Sequence, residues 1–209
     1  MKKRNTFDYK LKIMIAVITG DIINSRKSEP KHWLNVLKTE LNTFGKESKQ
    51  WEIYRGDSFQ LEIKAEEALK AALLIKAAIK QFKSIDVRLA IGIGEKDYTG
   101  ASVTESNGTA FVRSGECFEN LKKNTLAIKS NDAVFDAHIN IMLDLALLTM
   151  DNWTPTASVL FKTALEHPNH NQQELAELLN RKQSNISAGL KRAGYDEISK
   201  MLQFYENKF

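Results

Sequence analysis

The chain predicts an α+β fold in two parts: strands and helices alternating to about residue 130, then helices alone from 131 to 209. Three observations carry this. KIMIAVIT at 12–19 is a nearly continuous apolar run, the character of a central strand buried on both faces. Segments with period 2 and period 3.6 then alternate in the order β-α-β-β-α-β. From Asn131 onward every periodic segment is helical, and QQELAELLNRKQSNISAGLK (172–191) has the spacing of a helix-turn-helix.

The elements follow in order. Residues 30–44 repeat at helical spacing through Trp33, Leu34, Leu37, Leu41 and Phe44, and Gly45 closes that helix. WEIYRGDSFQLEI (51–63) predicts two short strands around a turn at Arg55-Gly56-Asp57. Ala65 to Phe82 predicts a helix with Ala68, Ala72, Ile75, Ile79 and Phe82 on one face. VRLAIGIGE (87–95) returns as a strand, which completes the ferredoxin-like split βαβ order. A polar, Gly-rich loop is expected over 96–110, a helix over 111–123 and a strand over 125–129. Asn131 to Met150 predicts a long helix, apolar on more than one face and therefore packed on two sides. Thr154-Pro155 starts another, which ends before His167-Pro168. Asn171 with Glu174 gives the next a capping-box-like start.

In the last segment the first helix carries Leu175, Ala176, Leu178 and Leu179. Small Ala176 allows a close crossing, and Asn180 sits where the turn favours a positive φ. Ile186 plugs the space between the helices, and Leu190 anchors the second. That second helix would expose Lys182, Gln183, Ser184, Ser187 and Ala188 to base edges and Lys191 and Arg192 to phosphates. An ordinary antiparallel helix pair, or a unit that docks protein, is the alternative.

Composition bounds these readings. The 209 residues suffice for one large domain or two small ones, here 1–130 and 131–209. Lys and Arg number 30 against 26 Asp and Glu, a net charge of +4 with a pI near 9.0, which tilts the chain mildly toward polyanions. Much of the excess lies in the first twelve residues. Residues 169–209 carry only six Lys and Arg against five Asp and Glu, so a homodimer, doubling the count, is the expected DNA-binding form. Cys117 is the single cysteine, which excludes a disulfide framework and a thiolate metal cluster and predicts a small buried residue. The basic start before Ile13 to Ile18 mimics a signal peptide, but its apolar stretch is short and Asp21 follows at once. No run reaches the roughly 18 apolar residues of a membrane span, and a cytoplasmic protein is expected.

The first part contains a candidate site. Asp21 is expected just past the end of the central strand, and Asp57 in the neighbouring hairpin turn. Two converging carboxylates repel unless a cation joins them, and hard oxygen ligands favour Mg²⁺. The backbone amides of Ile22 to Asn24, with Arg55 in the turn, are the candidate ligand-binding groups beside the pair. Alternatively Asp21 caps a turn and Asp57 merely favours a hairpin.

A hydrophobic strand leading to an Asp, a Gly-Asp hairpin and a strand ending in GIG together resemble the class III nucleotide cyclase catalytic domain. The resemblance implies that Asp21 and Asp57 stand where that family binds two metal ions, with Gly56 as the turn glycine. It stops at the next helix. Where cyclases place an Asn and an Arg, this chain has Val112 and Glu116, neither able to donate to a phosphate; Arg113 is adjacent but out of place. A degenerate cyclase-like domain is therefore implied, one that binds a ligand such as a nucleotide or supports dimerisation. Taken whole, TGDIINSR, YRGDSFQ, RLAIGIGE and GTAFVRSGECFENL, ending with LKRAGYDEI, resemble the SatD family from about residue 13 to 200.

Weaker signals fill in the rest. His32, His138, His167 and His170 form no ligand set, and Pro168 breaks the only close pair. Gly92 and Gly94 lie on a strand, which excludes a dinucleotide fingerprint and points to close backbone packing. Arg88, Arg113, Lys122 and Lys123 are expected on a solvated face, with contact to an anionic ligand the alternative, and Trp33, Trp51 and Trp153 in separate core regions. No residue is assigned a catalytic role. The leading expectation is a DNA-binding transcriptional regulator. The alternatives are a Mg-dependent nucleotide or phosphate-processing enzyme using Asp21 and Asp57, and an interaction module that binds no DNA.

Overall fold

A computed structural model of the chain describes residues 14–209. Residues 1–13, with the basic start and the first part of the predicted strand, lie outside the described residues. The elements run β1 (Ile15–Ile23), α1 (Pro30–Phe44), β2 (Trp51–Tyr54), β3 (Ser58–Lys64), α2 (Ala68–Ile79), β4 (Asp86–Gly94), α3 (Thr109–Glu119) and β5 (Leu126–Lys129). Helices then follow alone: α4 (Ala133–Met150), α5 (Pro155–Glu166), α6 (Gln172–Leu178), α7 (Gln183–Ala193) and α8 (Tyr195–Glu206). The result is a mixed α+β fold with a five-stranded sheet, ordered β2-β3-β1-β4-β5. Only β4 and β5 are parallel neighbours; the other three pairings are antiparallel.

The apolar run is explained by position. β1 is central, flanked by β3 and β4, and residues 16–20 are buried. Alternation sends Ala16, Ile18 and Ile22 into the main core, while Val17 packs with Ala110 and Phe111 of α3 on the other face. Under α3 the sheet carries Ala90, Gly92 and Gly94. A Cβ on Gly92 would stand 2.1 Å from the Ser114 amide nitrogen, so the close packing expected of this glycine is present. Thr19 of β1 and Ser114 of α3 share a buried hydrogen bond at the same contact.

One hydrophobic core runs across residue 130. It takes in Trp33, Trp51 and Trp153 together, correcting the expectation of separate regions, and extends through Phe135, Ile139, Phe161 and Met201 to Tyr205. The Tyr205 hydroxyl, at the far end of the chain, donates to the Ala65 carbonyl at 2.5 Å. A second, smaller cluster joins α5, α6 and α7 through Leu160, Ala164, Leu175, Ala176, Ile186 and Leu190.

Several boundaries differ from expectation. Asp21 lies inside β1, opposite Ser58 and Arg88, because the antiparallel register continues to Ile23. The helix expected over 111–123 is α3, which starts at Thr109 and stops at Glu119. Within the expected loop, Val103–Glu105 form a 3₁₀ turn and Tyr98 bridges to Asn107. Leu178, assigned to the apolar face of its helix, is exposed. α4 packs on one side only. Phe135, Ile139, Leu143, Leu147 and Met150 are buried, while Val134, Ile141, Leu145 and Leu148 are 60–71% exposed. Among the described residues α4 is also the helix long and apolar enough to cross a bilayer by length and composition, 18 residues at mean hydropathy 1.4, although Asp136, His138, Asn140 and Asp144 interrupt it.

Candidate functional site

Two places gather the residues with chemistry. At the first, the end of β1 meets the β2–β3 turn. The Ile22 amide donates to the Asp57 carbonyl at 3.0 Å, so the two acidic residues are brought together through the backbone. Their carboxylates are each engaged. Arg88 of β4 grips Asp21 with both arms of its fork, Nε to Oδ1 at 2.9 Å and Nη2 to Oδ2, while stacking 5.2 Å from the Phe118 ring centroid. This bidentate hydrogen bond raises the Arg88 pKa above its ordinary value. The Ser25 hydroxyl donates to Asp57 Oδ2 at 2.8 Å.

Arg88 is the member of this cluster that the sequence placed on a solvated face. The signal was there in register form: β1 and β4 run antiparallel, and residues 21 and 88 fall opposite each other on one face. Tyr54 joins the same place. Burial chiefly raises its phenol pKa, Arg55 opposes, and the nearby Asp21 adds to the rise.

Of the expected ligand-binding groups, Ile22 has its amide committed and its side chain in the core. Asn24 and Arg55 are exposed, and both hold left-handed backbone, φ 58° and 54°. No group of three or more His, Cys, Asp or Glu side chains converges among the described residues. Asp21 and Asp57 as arranged form an ion pair and a hydroxyl acceptor, not an open donor set, and do not fit a resident divalent metal. Arg113 also departs from the solvated reading, donating Nη1 to the Ile93 carbonyl at 2.7 Å. Cys117 is buried, and that burial pushes its thiol up to about 11, the behaviour of an inert core cysteine.

At the second place, α6 and α7 are joined by the turn 179–182. Asn171 caps α6: its side chain accepts from the Gln173 and Glu174 amides while Glu174 reaches back to the Asn171 amide, a complete capping box. Asn180 takes φ 50° in the turn, as the sequence requires of it. Ile186 is fully buried against Leu175, Ala176 and Leu190. Behind these, Gly189 lets α7 approach α5, where a Cβ would stand 2.1 Å from Leu160 Cδ1. The Trp153 indole nitrogen donates to the Ala193 carbonyl at 2.9 Å, tying the end of α7 to the main core.

The outer face of α7 is polar and open. Lys182, Gln183, Ser184, Ala188, Lys191 and Arg192 are exposed and Ser187 is partly so. Gln183 Nε2 donates to Gln172 Oε1 at 2.8 Å, linking the first turns of α6 and α7. All seven side chains are exposed or partly so, and Lys191 and Arg192 also line a groove against α4 and α8.

Together these features define an α+β protein whose sheet and helices share a main core, with an exposed polar helix and, on the sheet, an arginine-clamped acidic pair. The SatD family model matches residues 14–199, and the chain belongs to the SatD family. No curated protein matches it.

Proposed function

We propose that the protein is a DNA-binding transcriptional regulator, with α6, the turn and α7 acting as a helix-turn-helix. The observation that carries this reading is the α6–α7 unit itself: a left-handed Asn180, a buried Ile186 plug and, on α7, an exposed face without a single large apolar residue. Lys182, Gln183, Ser184 and Ser187 are read as the groups facing base edges, beside Ala188, with Lys191 and Arg192 on phosphates. The α7 dipole helps, since the first turn offers unpaired amides to a phosphate.

The first part is read as a degenerate, cyclase-like ligand-binding or dimerisation unit. The order of its first four strands, β2-β3-β1-β4, supports the ferredoxin-like reading. Arg88 supplies beside Asp21 the positive charge that a metal supplies in cyclases, so any Mg²⁺ would have to displace it. A nucleotide therefore remains the expected ligand class, and DNA in the cytoplasm the expected partner.

Fluorescence anisotropy against the DNA upstream of its own gene and a scrambled control, over a salt series with and without Mg²⁺ and nucleoside triphosphates, tests the reading. Sequence-selective, salt-steep binding is expected, abolished by Lys182→Glu. Lys191→Ala should weaken all sequences alike and shallow the salt slope by about one unit at most. Absence of binding at low salt overturns the proposal, and a sequence-dependent loss in Lys191→Ala overturns that residue's role.

A further inference from the structure

We infer that the bare face of α4 is a self-association surface, on which a second copy of this chain packs antiparallel about a two-fold axis at Ile141. The face is a narrow stripe made by Val134, Ala137, His138, Ile141, Asp144, Leu145 and Leu148, all exposed. At 100° per residue each of these lies within about 60° of the Ile141 direction, so they form one seam on a helix about 27 Å long. Four large aliphatic side chains on one seam, each 60–71% exposed, form an apolar patch of the kind that marks an interface.

The occupant is identified by symmetry within the stripe. Its two polar residues sit three positions either side of Ile141. Antiparallel pairing at that centre sets His138 of one copy level with Asp144 of the other, a donor across the seam from an acceptor, twice. Parallel pairing instead sets Asp144 level with Asp144, which repels. The antiparallel register also sets Val134 level with Leu148 and small Ala137 level with bulky Leu145, so small meets large at both ends. A two-fold contact needs this self-complementarity, and a foreign partner does not. Asp144 is already oriented, accepting from Asn124 Nδ2 at 2.7 Å. The apolar surface continues into a groove of about 650 Å³ among α4, α7 and α8, lined by Met142, Met201 and the part-exposed Phe204, with Lys191 and Arg192 at its α7 side. That continuation extends the patch toward the roughly 1,200 Å² of a stable interface.

The inference stands apart from DNA binding and is tested without nucleic acid. Sedimentation velocity from about 1 to 100 µM should show a reversible dimer, with Ile141→Asp raising its Kd about 30-fold or more, the scale of a central hot spot. His138→Asp and Asp144→Lys should each weaken it, and the double variant should recover affinity. Cysteine cross-linking fixes the register: a mixture of Val134→Cys and Leu148→Cys proteins should couple to each other, and Val134→Cys alone should not. A monomer throughout the range overturns the inference. So does self-coupling of Val134→Cys, which means parallel packing, or co-sedimentation of a monomer with phosphatidylcholine–phosphatidylglycerol vesicles, which means the stripe meets lipid.

Discussion

Helices α2 and α4 are both strongly apolar, and the fold treats them in opposite ways. Eleven of the twelve α2 residues are buried, because the helix is enclosed by the sheet, α1, α5 and α8. Only five of the eighteen α4 residues are. An apolar helix that loses its amphipathic stripe is thus either surrounded or awaiting a second surface. Polar residues separate the two cases. In α2 the interior lysine is satisfied from within: Lys76 is fully buried and its Nζ reaches Asp86 at 3.0 Å, Asp151 at 2.8 Å and Thr125 at 2.9 Å. In α4 the polar pair lies on the exposed face, and Asp144 accepts from Asn124 there.

The largest expected effect breaks α2. Lys76→Ala removes the cation from between Asp86 and Asp151 and opens a cavity, and should cost about 3 kcal/mol or more in urea unfolding. Lys80, 3.1 Å from Asp86, retains one partner and keeps the loss from being larger. Lys76→Met, which keeps the volume, should recover part of it. A change below about 1 kcal/mol for Lys76→Ala would mean that the buried network contributes little and that α2 tolerates its lysine for packing alone.

A smaller effect is expected where β1 meets β4. Asp21→Asn keeps the shape but exchanges a charge-assisted fork for a neutral contact with Arg88. Side-chain exposures of 22% and 38% place the pair between buried and solvated, so the loss should be about 1–2 kcal/mol. The same substitution measured against Mg²⁺ by calorimetry sharpens the reading of the acidic pair. Heat of binding in the wild-type protein that vanishes in Asp21→Asn would show that metal displaces Arg88, contrary to the arrangement described above.

Much of this was legible in the chain. β1 was marked by its continuous apolar run, the hairpin by Gly56, the α6 cap by Asn171 and Glu174, and the α6–α7 turn by Asn180 and Ile186, because each signal is local. What escaped was set by pairing across the sheet. Asp21 was placed beyond β1 because a polar residue ended the apolar run, yet the register with β3 and β4 carries the strand two residues further. Arg88 was left on a solvated face because its partner is 67 positions away. On α4 the sequence showed two apolar faces but could not show that the chain fills only one.

The smallest effect is the most telling. Leu148 is 71% exposed, so Leu148→Ser removes almost no packing within one copy, and at submicromolar protein its unfolding free energy should match the parent within about 0.5 kcal/mol. The comparison changes with concentration. A dimer that forms only between folded chains adds stability by mass action, so the parent's urea midpoint should rise as protein is raised through the Kd. The midpoint of Leu148→Ser should rise less, by the amount its dimer is weakened. Two curves that coincide at low concentration and diverge at high concentration locate the second surface of α4 in another copy of the chain. Curves that are parallel and offset at every concentration would place Leu148 in the fold of the single chain instead.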